Sequence, residues 1–376
     1  PLRRQRQMCI RDSVDTTAPV LTINTVAGDD IINDAEHAQA LVISGTSTGG
    51  EAGDVVSVVL NGKTYTTTLD ASGNWSVGVP AADVAALGSG AQTITASVSD
   101  RAGNSDDASR TVTVSLSAPV ISINTIAGDD VINATEKGSN LALSGTSDQA
   151  AGTAITVTLN GQNYSATTDA SGNWSVTVPA SAVSALDEAT YSVTASVSNA
   201  QGNSSTASHN VQVNTALPGV TINPVTTDDI INAAEAGSAQ TISGQVTGAA
   251  AGSTVTVELG GKTYTATVQA DLSWNVSVPA ADWQALGNGE LTVNVSVTNA
   301  VGNTGSGTLD ITIDASLPGL RVDTVAGDDV VNIIEHAQAQ VITGSSSGFA
   351  AGTALTVVIN NQTYAATVLA LSLILI

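Results

Sequence analysis

The stretch whose reading decides the fold is VVSVVLNGKTYTTTLDASGNWSVGVP, residues 55–80. Polar and apolar residues alternate there, as in Trp75, Val77 and Val79, which is the period of a half-buried strand. Asn61-Gly62 separates two such segments, and a type I′ turn needs positive φ at both of its central positions. DASGN at 70–74 supplies a second tight turn. Working outward, strands are predicted near 20–24, 40–46, 55–60, 63–69, 75–79, 92–99 and 111–115. One short helical stretch follows Pro80, where proline suits a first turn. Seven short strands in about 100 residues, with turns every 8–12 residues, predict an all-β, immunoglobulin-like sandwich.

The unit repeats. Asp-Asp pairs begin at 29, 129, 228 and 328, and Pro19, Pro119, Pro218 and Pro318 keep the same beat, as do Trp75, Trp174 and Trp274. This is a tandem array, with domains expected at 14–116, 117–215 and 216–315, arranged end to end. A fourth copy, 316–370, stops before its tryptophan and is expected to be poorly folded or only locally ordered. The segment 1–13, PLRRQRQMCIRDS, holds four of the ten basic residues, the only cysteine (Cys9) and the only methionine (Met8). It lacks the apolar core of a signal peptide and resembles translated sequencing-adapter read-through. It and the tail 371–376 are expected to be non-native and are set aside.

Removing the first thirteen residues takes away four arginines and one aspartate, so the formal charge of −23 becomes −26. Such a surface argues against nucleic acid or anionic lipid as a partner, since both require a basic face. With 42% hydrophobic and 11% charged residues the chain can bury a core. No run of 18 apolar residues predicts a membrane span in this stretch.

One string returns with little drift. VAGDDIINDAEHAQ (26–39) sets four carboxylates in eight positions, and reappears as IAGDDVINATEKGS (126–139), VTTDDIINAAEAGS (225–238) and VAGDDVVNIIEHAQ (325–338). Together with VDTTAPVLTINTVAGDDIINDAE (14–36), GTSTGGEAGDVVSVVLNGKTYTTTLDASGNWSVGVP (45–80) and ITASVSDRAGNSDDASRTVTV (94–114), it resembles the bacterial Ig-like repeats of giant surface adhesins. These are biofilm-associated and RTX-type proteins exported by type I secretion. The resemblance covers 14 to about 369. It implies an extender stalk at the bacterial cell surface, stiffened by calcium at domain junctions. The Gly-Gly-x-Gly-x-Asp nonapeptides of RTX export do not occur in this stretch.

In such a sandwich the loop after the first strand lies at one pole and the loop before the last strand at the other. Asp29, Asp30 and Glu36 are therefore expected to crowd a junction with Asn199 and Asn203 of the next repeat. Asp129, Asp130 and Glu136 are expected to meet Asn299 and Asn303. Asp100 and Asn104, with Asp15 in the linker, face whatever precedes repeat 1. Asp314 sits beneath Asp228, Asp229 and Glu235, and Asp328, Asp329 and Glu335 close the series. Carboxylates and amide oxygens without histidine or cysteine form a hard-oxygen set, which suits Ca2+. Clustered like charges are costly unless a cation neutralises them. The spacing is not that of an EF-hand. The plainer alternative is that these acids only cap turns.

Trp75, Trp174 and Trp274 alternate with valines and read as core, whereas Trp283, present once, reads as exposed and, with Phe349, as a weak ligand contact. His37 and His336 are replaced by Lys137 and Ala236 in other copies, and His209 lies in another register, so no histidine pair forms. Isopeptide cross-links fail because Lys63 and Lys262 match Gln162 and Gln362. No repeat carries a catalytic constellation, and no enzyme is expected. The expected partners are the neighbouring Ig-like domains, with host or biofilm surface ligands beyond them. The alternatives are a module that itself binds a glycan or host protein, and a spacer in a secreted polysaccharide-degrading enzyme.

Overall fold

In the computed structural model the residues described are 14–369 and the backbone of 373–375. The segment 1–13 and the rest of the tail lie outside them. The chain divides into two compact units at Asn214/Thr215, each taken by itself below.

Repeat 1 comprises β1 (Val20–Leu21), β2 (Ile31–Ile32), α1 (Asp34–His37), β3 (Leu41–Thr48), β4 (Val55–Leu60), β5 (Lys63–Thr68), β6 (Asn74–Val79), α2 (Ala81–Val84), β7 (Gly90–Ser99) and β8 (Ser105–Val114). A sheet in the order β1-β3-β6 faces one in the order β2-β8-β7-β4-β5. Every pairing is antiparallel except β2 with β8, which is parallel. Between the sheets Ile32, Ile43, Val56, Val58, Val84 and Ile94 are fully buried. The fold is the predicted sandwich, and the Asn61-Gly62 turn sits between β4 and β5 with φ of 48° and 71°.

Two strands differ from expectation. β8 starts at Ser105, and β7 and β8 pair over ten residues from Ser99↔Ser105 to Gly90↔Val114. Its first half alternates between half-buried and exposed small or polar side chains, so hydrophobic periodicity passes it over. β2 and α1 lie inside the acidic string, which is built structure and not a loop.

Gly45 faces Trp75 across the β3–β6 ladder. A Cβ there would lie 1.9 Å from Thr22 O and 2.5 Å from Trp75 Cζ2. The absent side chain is what lets the indole lie across the strand and bury to 3% exposure.

Repeat 2 repeats the plan, with Leu141–Thr146 against Asn173–Val178 and a five-stranded partner sheet. Repeat 3, in the second unit, has a three-stranded sheet headed by Gly219–Ile222 and its own five-stranded sheet. Each of the three has a separate buried core. Repeat 4 forms one sheet, ordered Gly319–Val322, Thr343–Ser347, Leu373–Leu375, Gln362–Val368, Ala354–Ile359. The tail set aside from the sequence therefore supplies its central strand. Ile333, Ile334 and Val358 are 89%, 69% and 63% exposed, since among the described residues no second sheet covers them.

Gly45→Ala should destabilise repeat 1 by about 3 kcal/mol or more, through overpacking against backbone. Calorimetry should show one of the three transitions falling by more than about 10 °C, with the others in place. An unchanged thermogram would contradict the packing described.

Candidate domain-junction site

The acidic string folds by short-range chemistry. Ala27, Gly28 and Asp30 take φ of 55°, 96° and 65°, closing a turn in which Asp30 N–H donates to Val26 O at 2.8 Å. The Asp30 carboxylate accepts from Val26 N–H at 3.0 Å, and Asp29 Oδ1 accepts from Ile31 N–H at 3.0 Å. The chain then enters β2, with Ile32 fully buried. Asn33 caps α1: its side chain accepts from Glu36 N–H, and Glu36 Oε2 accepts from Asn33 N–H, both at 3.1 Å. This is a capping box, with each half contributing about 1 kcal/mol. Asn133/Glu136 and Asn232/Glu235 form the same box, and Asn332/Glu335 make the same two bonds.

A cation clasps Asp30 from the last strand. Arg110 Nε donates to Asp30 Oδ1 at 2.6 Å, Nη1 to Ile23 O at 2.9 Å and Nη2 to Thr25 Oγ1 at 3.0 Å. The guanidinium's hydrogen bonds hold the Asp30 carboxyl below its ordinary range against a smaller upward push from desolvation. In repeat 2, His209 Nε2 lies 2.7 Å from Asp130 Oδ1. Asp130 is lowered too, first by the Ile126 N–H and then by His209. Leu309 holds the matching place in repeat 3, where Asp229 keeps the bond from Val225 N–H at 2.9 Å.

The opposite pole is a five-residue turn. Asp100 Oδ1 accepts from the N–H groups of Ala102 and Asn104, both at 2.9 Å, and Oδ2 from Asn104 Nδ2 at 2.9 Å. The Asn104 side-chain bond is the largest cause of the lowered Asp100 pKa. Asn199 and Asn299 make the same turn with amide oxygens, accepting from Asn203 N–H and Asn303 N–H at 2.9 Å. Asp70–Asn74 and Asp169–Asn173 build it again between other strands. The aspartate at 100 thus does turn chemistry that an asparagine also does.

Within the first unit the two poles meet. Asn203 is 3% exposed, and its Oδ1 accepts from Asp34 N–H of repeat 1 at 2.8 Å. Its Nδ2 donates to the linker carbonyls of Ser115 and Ser117 at 2.8 and 3.3 Å, and Asn199 Nδ2 also donates to Ser117 O, at 2.9 Å. Gly202 closes the contact: a Cβ there would lie 2.9 Å from Asn33 Nδ2. At the N-terminal pole of repeat 1, Asn104 Nδ2 donates to Asp15 O at 3.2 Å.

The expected ligands therefore separate. Asn203 reaches the capped segment of repeat 1 through Asp34 N–H, while Asn199 reaches the linker at Ser117 O. Asp30 turns inward to Arg110, while Asp29, Asp129, Asp228 and Asp328 are exposed and accept from the N–H two residues on. Asp329 and Asp314 likewise accept from backbone, at Val325 and Ser316. Asn303 is 2% exposed. Among the described residues no three of His, Cys, Asp or Glu converge. The oxygens nearest this junction are already engaged: Glu36 Oε2 accepts from Asn33 N–H, Asn203 Oδ1 from Asp34 N–H, and the Ser115 and Ser117 carbonyls from Asn203 Nδ2. Asn33, Asp34, Gly202 and Arg110 were missed from the sequence. The Asn-x-x-Glu box in every string was the readable signal.

Trp283 corrects the sequence reading. It is fully buried on the helix Ala280–Gln284, at the position of Val84 and Val183, and packs into the core of repeat 3.

A family profile described as Bacterial Ig-like domain matches residues 17–116 and 115–215. Among solved structures, a Ca2+-stabilized adhesin by which an Antarctic bacterium binds ice is 37% identical, covering 96% of this chain and 91% of that one, with a TM-score of 0.47. A tetra-tandem repeat from the extending region of a large adhesion protein is 25% identical over 96% of this chain and 90% of that one, TM-score 0.33. A bacterial immunoglobulin-like domain of the M. primoryensis ice-binding adhesin is 43% identical over 27% of this chain and 99% of that one, TM-score 0.23. A search of curated proteins gives no match.

Asn203→Ala should leave both domains folded but raise amide exchange at Asp34 about tenfold, since one buried hydrogen bond is lost. Unchanged exchange there would contradict the contact. Asp30, with its pKa lowered from 3.8, contributes stability that is present above that ordinary value and is lost as pH falls through the lowered folded-state value. Asp30→Asn should accordingly melt a few degrees below the parent at pH 6, and the gap should narrow as pH falls below 3.8. A gap that widens on acidification would refute the clasp.

Proposed function

Because this chain belongs to the bacterial Ig-like domain family, we propose that it is an extender segment of a large secreted bacterial cell-surface adhesin, serving adhesion and biofilm formation. Its repeats are homologous to the Ig-like repeats of such adhesins. The observation that carries the reading is Asn203: a buried side chain spends its hydrogen bonds on the pole and linker of the preceding repeat. Such a residue has little to do in an isolated domain and a clear task in a stalk, where it limits bending between neighbours.

Calcium belongs to the same proposal. An ion at the junction of repeats 1 and 2 would draw on Glu36 and the Ser115 and Ser117 carbonyls, displacing the Asn203 Nδ2 hydrogen bonds that those carbonyls accept. Asp15, Asp100 and Asn104 offer the more acidic version at the N-terminal pole. A bound ion would supply the positive charge that a surface of net −23 lacks and tie two domains through one centre. Extracellular calcium modules bind with Kd around 10⁻⁴–10⁻³ M, so millimolar calcium would add only about 0.4–1.4 kcal/mol per site. The expected effect is on bending and protease resistance more than on folding. Burial of Trp283 removes the main hint of a glycan-binding surface, and nothing in the three cores favours that reading.

Small-angle scattering on residues 14–315 tests this. Three domains of about 40 Å predict a maximum dimension near 120 Å in 5 mM calcium, and a broader, bent ensemble in EGTA. Glu36→Gln should weaken the response at the first junction. Superimposable profiles, with melting also unchanged, would remove calcium from the account.

A further inference from the structure

The three closed repeats share one backbone plan and differ in what fastens the second strand, β2 in repeat 1, to the last. β2 and β8 run parallel, so tension on the two ends of a repeat pulls them in opposite directions along their axes. Their hydrogen bonds are then loaded in shear, together and not one by one. One bond of the ribbon is alike in each copy: Thr113 N–H donates to Asp30 O at 2.8 Å, Gln212 N–H to Asp130 O at 2.9 Å and Thr312 N–H to Asp229 O at 2.9 Å. The backbone pairing otherwise differs: β1 pairs over two residues in repeat 1, its counterpart through one bridge at Ile121 in repeat 2 and over four residues, Gly219–Ile222, in repeat 3, and the parallel ribbon has two, two and three pairs. Backbone alone therefore favours repeat 3, so for repeat 1 to outlast it the side-chain clasp must outweigh that difference.

Side chains rank the repeats the other way. Arg110 reaches from the last strand to Ile23 O, Thr25 Oγ1 and both oxygens of Asp30, so four bonds cross the place where the ribbon must part. His209 makes one bond to Asp130. Leu309, half-buried against the core, makes none, and Asp229 has no cation beside it among the described residues. Arginine, histidine and leucine thus stand at one structural position in consecutive repeats, as a strong, an intermediate and an absent clasp.

We propose that the array is a graded force absorber, in which repeat 3 yields first under tension, repeat 2 next and repeat 1 last. Each unfolding would release about 300 Å of chain at ~3.5 Å per residue, easing the load before the strongest repeat opens. The purpose assigned to the grading rests on the extender reading. The grading itself is a property of single repeats.

The test is constant-force unfolding of the full chain held by its ends, in EGTA so that metal plays no part. Forced unfolding reports the unfolding rate. Three events are expected, with lifetimes spread so that the longest exceeds the shortest by about fivefold or more, the ratio that a part-buried charged clasp supports. Arg110→Leu should shorten only the longest lifetime, by about fivefold, and Arg110→Lys, which keeps charge but loses the fork, should fall between. Leu309→Arg should lengthen the shortest one. Circular dichroism confirms that each variant is folded before pulling. Lifetimes that do not respond to Arg110→Leu, or a shortest lifetime that belongs to repeat 1, would overturn the proposal. If scattering shows no calcium response while the lifetimes follow this order, only the calcium reading falls.

Discussion

The second and last strands of each closed repeat, β2 and β8 in repeat 1, pair with each other in a parallel ribbon two or three residues long. Much else follows from that ribbon. To reach it, the chain must leave β1, cross from one sheet to the other and turn parallel to β8. The left-handed residues at 27, 28 and 30 make the crossing, and the Asp30 carboxylate fixes it from inside. Ile32 then enters the core, and Asn33 stops the strand by capping α1. Repeat 4 is the natural control. It keeps the same string but has no last strand among the described residues, and there 330–332 form no strand at all. The string encodes half of a contact, and its structure depends on the other half.

The sandwich was legible because each hairpin of the 55–80 stretch announces itself twice, by alternation and by turn residues. What escaped was structure without an apolar signature. The first half of β8 is serine, aspartate and alanine, and β2 is two residues long. Gly45 also escaped, although it recurs as Gly145 and Gly244, because the need for a missing side chain appears only when the facing tryptophan is placed. Trp283 misled for the reverse reason. A residue present once looks like a decoration, yet here it replaces a valine in a core.

The candidate site was legible in position more than in chemistry. That the acidic string and the Asn199–Asn203 turn would meet followed from the topology. That the acids would converge did not follow, since most of them already accept hydrogen bonds from their own backbone. Recurrence of an acidic motif thus has two sources in this chain. Asp30, Asn33 and Glu36 recur because the fold is built from them, while the junction uses the shape they create. Any metal held there would be an addition to a contact that already closes through neutral groups, which is why stiffness and not folding is its natural readout.

The most direct test of this account is the distance distribution between spin labels at exposed, equivalent positions of repeats 1 and 2. In a Cys9→Ser background, Thr66→Cys and Ser165→Cys place one label on β5 and one on its counterpart. The account predicts a narrow distribution in 5 mM calcium, a modest broadening in EGTA and a clearly larger broadening when Asn203 is replaced by alanine. A distribution already broad without the substitution, or one that ignores it, would contradict the claim that the repeated string and Asn203 together set the junction.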